Sequence, residues 1–213
     1  KQILTVQYRM RRNIGNLISQ VFYEGKIATE VDDKNRMHPI KKFAGKSIIW
    51  IDTSMMDRKD ESRLKGGSYC NYAENTLVKK LLEGFKNEGV LPNLDIGIIT
   101  GYRGQKDLIR KSVNNSGYDR IAKGIDINTL DAFQGRENDI IIYSTVRTKN
   151  SIGFQKEKER VNVAFSRAKN LLIICGDMDF FYKFDDPDNK FIEIIDYICE
   201  HEDECLVIPG GEI

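Results

Sequence analysis

Two short, continuously apolar segments constrain the fold of this chain most strongly. They are residues 140–143 (Ile-Ile-Ile-Tyr) and residues 171–175 (Leu-Leu-Ile-Ile-Cys). A strand with one face in water alternates apolar and polar side chains, whereas a continuous apolar run indicates a strand covered on both faces. Both runs are far shorter than the roughly 18 residues that a membrane-spanning helix needs. The sequence therefore predicts a sheet buried between two layers, and no membrane segment.

Segments with one apolar helical side separate the predicted strands. Strands are predicted at 3–6, 47–52, 95–100, 125–130, 139–145 and 170–176, and helices at 14–22, 73–85, 103–113, 156–168 and within 178–200. This alternation predicts parallel strands joined by crossover helices, with ligands at the carboxyl ends of the strands. Residues 26–46 are expected to be irregular. Residues 53–69, which are rich in charge and contain two adjacent glycines, are expected to form a surface loop.

The charge balance limits the kinds of partner that the chain can bind. Thirty-three Lys and Arg residues stand against 32 Asp and Glu residues, so the formal net charge is +1. A nucleic-acid surface must therefore be a local cluster of cations. The four cysteines show no C-x-x-C spacing, which favours a reduced, cytoplasmic setting. Since the chain begins at Lys1, it is expected to be a fragment of a longer protein.

Three apparent ligand motifs are better explained as ordinary structure. Residues 44–47 (Ala-Gly-Lys-Ser) resemble the end of a phosphate-binding P-loop, but position 40 is isoleucine where that loop has glycine. A strand also follows, where the loop needs a helix N-terminus. Asp177 is interpreted as a helix N-cap, and residues 201–205 as a solvated acidic tail. The chain thus lacks a P-loop of its own.

A polar turn between two predicted strands is the strongest candidate for function. It covers residues 131–137 (Asp-Ala-Phe-Gln-Gly-Arg-Glu). Thr129, just before it, can donate to a phosphodiester, and Gly135 permits close backbone approach. Gln134 and Glu137 can bond to hydroxyls or to a water molecule. A simple β-turn does not explain so many mixed polar groups, so a functional site is the favoured interpretation.

Three further groups remain open on residue type alone. Arg160 and Arg167 are seven residues apart, which predicts that they lie on the same face of one helix. They could bind a γ-phosphate, or they could serve only the solubility of the helix. In residues 7–10 (Gln-Tyr-Arg-Met), Tyr8 could stack on a base and Arg9 could reach a phosphate. Alternatively, Tyr8 packs in the core and Arg9 is a surface charge. Residues 100–105 (Thr-Gly-Tyr-Arg-Gly-Gln) could bind phosphate, although a plain strand-to-helix turn is favoured.

Four segments together resemble successive motifs of superfamily I helicases, most closely the branch of the nonsense-mediated-decay helicase and its bacterial relatives. They are residues 7–10, 97–105, 128–137 and 160–168. The resemblance implies the second RecA-like domain of such a motor: a three-layer α/β domain of the P-loop NTPase type, with a mainly parallel sheet flanked by helices. It also implies that ATP with Mg²⁺ binds between this domain and an upstream RecA-like domain, which holds the P-loop and the metal ligands.

The resemblance also implies a role for each matching residue. Those implied to act on the nucleotide are Arg9 and Arg167 at the γ-phosphate, Tyr8 at the adenine, and Gln134, Gly135 and Glu137 at the ribose or elsewhere on the nucleotide. Those implied to grip the backbone of single-stranded DNA or RNA are Thr100, Tyr102, Arg103 and Thr129. The chain departs from the family at Arg11-Arg12, where His-Pro is usual, and at Gly101, where proline is common.

Two alternatives compete with a motor domain. One is a non-catalytic module that binds single-stranded nucleic acid, and the other is a doubly wound platform for protein interactions. Nothing in the residue types separates DNA from RNA, because backbone contacts carry no evident selectivity for the 2′-hydroxyl.

Overall fold

The chain forms one main sheet with helices on both faces. The structure is a computed structural model that describes residues 5–133 and 135–213. The strands are β1 Val6–Gln7, β2 Ala28–Thr29, β3 Ile48–Asp52, β4 Ser62–Arg63, β5 Tyr69–Cys70, β6 Asp95–Thr100, β7 Gly124–Thr129, β8 Asn138–Ser144, β9 Ala168–Gly176 and β10 Cys205–Pro209. The helices are α1 Arg12–Tyr23, α2 Tyr72–Asn87, α3 Arg103–Ser116, α4 Tyr118–Ile121, α5 Lys158–Phe165, α6 Met178–Lys183 and α7 Phe191–Glu200. None of these helices has both the length and the apolar character needed to cross a membrane.

The main sheet is parallel throughout, which confirms the fold class expected from the sequence. Its six strands lie in the order β10-β3-β9-β8-β6-β7. Neighbouring residues of the apolar β8 run enter opposite cores: Ile141 packs with α1, α5 and α7, whereas Ile142 packs with α2 and α3. Leu172 and Ile173 of β9 divide in the same way. The continuous apolar runs are therefore explained by burial of both faces.

The edge strand β10 was not expected. Cys205, placed in a solvated acidic tail by the sequence, is buried and lies opposite Ile48 in a parallel pair. The acidic residues at 202–204 precede a short apolar strand that is only partly buried. The first expected strand also differs, since residues 1–4 lie outside the described part and Val6–Gln7 pairs with Ala28–Thr29, apart from the main sheet.

The segment at residues 53–69 is more ordered than a surface loop. Its end contributes to a short antiparallel hairpin, in which Ser62 pairs with Cys70. Its middle is held by Glu61, a buried carboxylate that accepts from Thr148 N at 2.7 Å and lies 3.3 Å from Arg147 Nη2. These contacts attach the segment to the chain that follows β8.

A buried carboxylate organises the carboxyl end of β8. Glu74, in the first turn of α2, has no exposed surface. It accepts from Ser144 Oγ at 2.5 Å, from Thr145 Oγ1 at 3.1 Å and from Val146 N at 2.9 Å. Val146 has a φ of 71°, a conformation that is costly for a β-branched residue. Glu74 therefore holds a strained turn that leads into Arg147.

The titration of Glu74 predicts how stability depends on pH. Burial raises the pKa of Glu74 from 4.5 to about 8, against the hydrogen bonds from Ser144, Val146 and Thr145, which favour the charged form. Between these values the folded chain holds a proton that the unfolded chain has lost. The free energy of unfolding should therefore fall as pH rises from 4.5 to 8, by up to about 1.4 kcal/mol per pH unit from this group.

Urea unfolding across this pH range measures the effect, and Glu74→Gln supplies the matched control because an amide does not titrate. The Glu74→Gln chain should lose less stability than the original chain as pH rises. Equal slopes for the two chains would contradict a protonated Glu74 in the folded state.

Candidate functional site

Three of the candidate nucleotide-binding residues meet at one edge of the sheet. Arg9 Nε lies 2.5 Å from Glu137 Oε2, and Arg9 Nη1 donates to Ser166 O at 3.2 Å. Glu137 directly precedes β8, and Arg167 directly precedes β9. We call Arg9, Glu137 and Arg167 the arginine cluster. It lies at the amino ends of β8 and β9, whereas the sequence pattern predicted ligands at the carboxyl ends of the strands.

The electrostatics of the arginine cluster suit a polyanion. Burial and the charge of Arg9 lower the pKa of Arg167, while Glu137 raises it. Arg167 Nε is buried and has no hydrogen-bond partner within residues 5–133 and 135–213. Two guanidinium groups near a single carboxylate leave excess positive charge and unused donors. Phosphate oxygens can neutralise this charge and accept hydrogen bonds from these donors, because the planar fork of arginine matches their geometry.

Arg167 does not lie on the helical face that the sequence predicted. Helix α5 ends at Phe165, and Arg167 follows its cap residue Ser166. Arg160 remains inside the helix, where it pairs with Glu157 at 2.8 Å and with Asp131 at 3.6 Å. The two arginines therefore act in separate surroundings. A break after two helical turns was not visible in the residue pattern.

The loop that carries Tyr8 and Arg9 is held by Gln7, a residue for which the sequence analysis proposed no role. Gln7 Oε1 accepts from Arg9 N at 2.9 Å and from Met10 N at 2.8 Å, and its Nε2 donates to Met10 O and to Thr29 Oγ1. Tyr8 is 64% exposed, and so its ring face is open to a stacking partner. The hydrogen bonds of Gln7 thus fix the conformation of the loop that exposes Tyr8.

The structure also shows the positions of Gly135, another candidate nucleotide-binding residue, and of Arg11 and Arg12, which depart from the family pattern. Gly135 has a φ of 82°, which favours glycine, whereas Gln134 lies outside the described residues. Arg11 is buried and donates to the carbonyls of Gly45 and Lys46. Asp33 accepts from Arg12 N at 2.9 Å. The two arginines that stand where His-Pro is usual therefore stabilise the start of α1.

The candidate strand-binding residues lie at the opposite edge, around a cavity of about 650 Å³. Arg103 is exposed and Thr129 half-buried, and both line the cavity together with Tyr102. Thr100 is fully buried, and its Oγ1 accepts from Tyr102 N at 3.4 Å. The resemblance implied a contact between Thr100 and single-stranded nucleic acid; that contact stays a prediction, and in this structure the Thr100 side chain is buried.

The cavity has walls that sequence reasoning missed. We call these the hairpin wall, formed by Gly67, Ser68 and Tyr69, and the opposite wall, formed by Gly153 and Phe154. They are about 85 residues apart in the chain, and no motif links them. The exposure of Phe154, which marks the opposite wall, became visible only in the structure.

The segment at residues 130–137 joins the two edges of the sheet. Thr129 lies opposite Thr100 at the carboxyl edge, while Asn138, directly after Glu137, donates to Asp95 Oδ1 at the amino edge. Between them Phe133 packs over β6, where a Cβ on Gly97 would come within 2.6 Å of Phe133 Cζ. The polar turn therefore begins beside the cavity and ends at the arginine cluster. These two candidate sites lie the length of a β-strand apart.

Comparison with known proteins identifies the family. A family model described as an AAA domain matches residues 1–179. The chain is 35% identical over 182 residues to the regulator of nonsense transcripts 1 homolog of Neurospora crassa, covering 81% of this chain and 16% of that protein. It is 31% identical over 215 residues to the DNA polymerase alpha-associated DNA helicase A of Saccharomyces cerevisiae, covering 93% of this chain and 30% of that protein.

A third relative is also a helicase. Helicase SEN1 of Saccharomyces cerevisiae is 35% identical over 185 residues, covering 82% of this chain and 8% of that protein. The chain thus spans less than a third of the length of these relatives. The chain carries an AAA domain and belongs to the superfamily I helicases, in the branch of the nonsense-mediated-decay helicase.

Proposed function

We propose that the full-length protein is an ATP-dependent helicase on single-stranded DNA or RNA, and that this chain is its second motor domain. The observation that carries the proposal is the arginine cluster at one edge of the sheet, joined by residues 130–137 to the cavity at the other edge. Two relatives have names that support it: the ATP-dependent helicase upf1 of Schizosaccharomyces pombe and the DNA helicase A of Saccharomyces cerevisiae.

The nucleotide would be held between this chain and an upstream RecA-like domain. Arg9 and Arg167 would neutralise the γ-phosphate, Tyr8 would stack on the adenine, and Gln134, Gly135 and Glu137 would position the rest of the nucleotide. The P-loop and the ligands of Mg²⁺ would come from the upstream domain. Hydrolysis of bound ATP would supply the free energy of the motor.

The ion pair between Arg9 and Glu137 gives this chain a way to respond to the nucleotide. Arg9 would exchange the Glu137 carboxylate for phosphate oxygens, since arginine binds both in the same bidentate manner. Glu137 would then be free to accept from ribose hydroxyls. Because residues 130–137 run across the sheet to Thr129, a shift of Glu137 can reach the strand-binding edge.

The buried thiols agree with a reducing environment. Cys70, Cys175 and Cys205 are buried and free, as is common in proteins of the cytoplasm. We therefore propose a cytoplasmic location.

An ATPase assay tests the proposed function. The full-length protein should hydrolyse ATP faster when single-stranded DNA or RNA is added, each supplied separately. The isolated chain should show negligible hydrolysis, because it carries only one wall of the nucleotide site. Clear turnover by the isolated chain would contradict a shared site. Salt-sensitive strand binding without any ATPase activity of the full-length protein would favour the non-catalytic module instead.

A further inference from the structure

We propose that the cavity at the carboxyl edge binds one unpaired nucleobase of the strand, stacked on the ring of Phe154. The inference rests on the proposed function, because it specifies how that strand would be held. It also assigns a role to the hairpin β4–β5, which would close one side of a base pocket.

Aromatic rings form the inner surface of the cavity. Phe154 is 43% exposed, so its ring is open to a ligand despite its apolar character. Its ring centroid lies 5.2 Å from that of Tyr102, which in turn lies 5.7 Å from that of Tyr69. All three residues line the cavity. A row of aromatic rings is a surface on which any base can stack, because every base has a π-face.

The hairpin wall is attached to the start of α3 and is therefore preformed. Gly104 N donates to Ser68 Oγ at 3.0 Å, and Asn71 N donates to Gln105 Oε1 at 2.8 Å. The approach is so close that a Cβ on Gly104 would come within 2.9 Å of Tyr69 O. A preformed wall lowers the entropy lost when a ligand enters.

Two arginines lie against these rings, and one of them, Arg147, also lines the cavity. Arg147 Cζ lies 4.3 Å from the centroid of the Tyr69 ring, and Arg147 is paired with the buried Glu61. Arg160 Cζ lies 5.2 Å from the centroid of the Phe154 ring. Cations at such distances attract an aromatic face. The rings are thus fixed by contacts that a base does not have to supply.

The rim of the cavity suits a base that is still attached to a backbone. Arg103 is exposed at the rim and Thr129 is half-buried beside it, so a cation and a hydroxyl are available to a phosphodiester. Asp131, also at the rim, is paired with Arg160 at 3.6 Å, which offsets part of its repulsion of a phosphate. Cationic rim and aromatic interior together match a single-stranded nucleic acid better than an apolar peptide.

Scanning with abasic sites in the full-length protein tests the pocket. Single strands that each lack one base, at successive positions, are compared with the intact strand by equilibrium binding. Loss of the stacked base should weaken binding about tenfold at one position, as expected when one aromatic stacking contact is lost. A 2-aminopurine placed at that position should show quenched fluorescence.

The variant Phe154→Leu connects the effect to the pocket. It should bind the intact strand about tenfold more weakly, yet bind the strand with the critical abasic site as tightly as the original protein does. Tyr182→Leu is the matched control, because Tyr182 is a similarly exposed aromatic residue on α6, away from the cavity. It should leave the abasic profile unchanged.

Three outcomes would overturn the inference. A flat abasic profile, in a protein that binds strands and hydrolyses ATP, would reject the pocket alone. An equal loss of affinity for intact and abasic strands in Phe154→Leu would show that Phe154 acts on the fold and not on a base. Absence of both strand binding and strand-stimulated ATPase activity would reject the proposed function together with the pocket.

Discussion

Arg167→Ala should lower ATP turnover by the full-length protein by about 10³–10⁵-fold, the range for loss of an arginine that stabilises a transferring γ-phosphate. The guanidinium of Arg167 lies in the arginine cluster, where its Nε has no hydrogen-bond partner in the described chain. Strand affinity should remain largely intact, because Arg103 and Thr129 lie at the opposite edge of the sheet. ATP turnover is measured at a saturating concentration of single-stranded nucleic acid, and the affinity for that nucleic acid is measured in parallel.

Two variants sharpen this test. Arg167→Lys keeps the positive charge but lacks the planar fork of donors, so it should recover only part of the activity. Arg120→Ala is the matched control, since Arg120 is an exposed arginine on α4. A thermal melt separates loss of chemistry from loss of folding, because Arg167 is half-buried. Unchanged turnover in Arg167→Ala would remove this residue from its proposed role.

Glu74→Ala should lower the free energy of unfolding of the chain by about 3–5 kcal/mol. The substitution removes the acceptor of Val146 N and leaves buried donors unpaired, at about 1–3 kcal/mol each. Relaxation of Val146 from its φ of 71° would offset part of this loss, by at most about 1–3 kcal/mol of backbone strain. Arg147, which lines the cavity at the carboxyl edge, directly follows Val146. The lining of that cavity should therefore become less ordered as well.

Urea unfolding at pH 6 measures the loss. Glu159→Ala is the control, because Glu159 is an exposed glutamate in the first turn of α5, and its removal should change stability by no more than about 0.5 kcal/mol. Comparison with Glu74→Gln, which keeps a side-chain oxygen that can accept hydrogen bonds, shows how much of the loss comes from the missing acceptor. A stable Glu74→Ala chain with an unchanged unfolding midpoint would show that Val146 keeps its conformation without the carboxylate.

The layers of the fold were predictable because burial leaves a local mark on the sequence. The runs at 140–143 and 171–175 are apolar at every position, and the structure divides their side chains between two cores. The strand β10 also carries an apolar run, but the sequence analysis did not predict a strand there. Only part of its surface is buried, and the acidic residues before it suggested a solvated tail.

The candidate site was predictable only as a set of residues. Tyr8, Arg9, Arg167 and Glu137 stand in motifs that can be read along the chain, but the contact of Arg9 with Glu137 joins residues 128 positions apart. The burial of Thr100, the position of Arg167 beyond the end of α5 and the walls around Phe154 follow from packing between distant segments. No local pattern encodes such distances.

By itself, the sequence determined the parallel α/β class and the family, because apolar periodicity and motif spacing are local properties of the chain. Only the tertiary structure decided that the polar turn at residues 131–137 serves two edges of the sheet. The turn connects the carboxyl end of β7 with the amino end of β8, and β6 lies between these strands. The connection must therefore cross the sheet, which separates Thr129 from Glu137 by the length of a strand although only eight positions separate them in the chain.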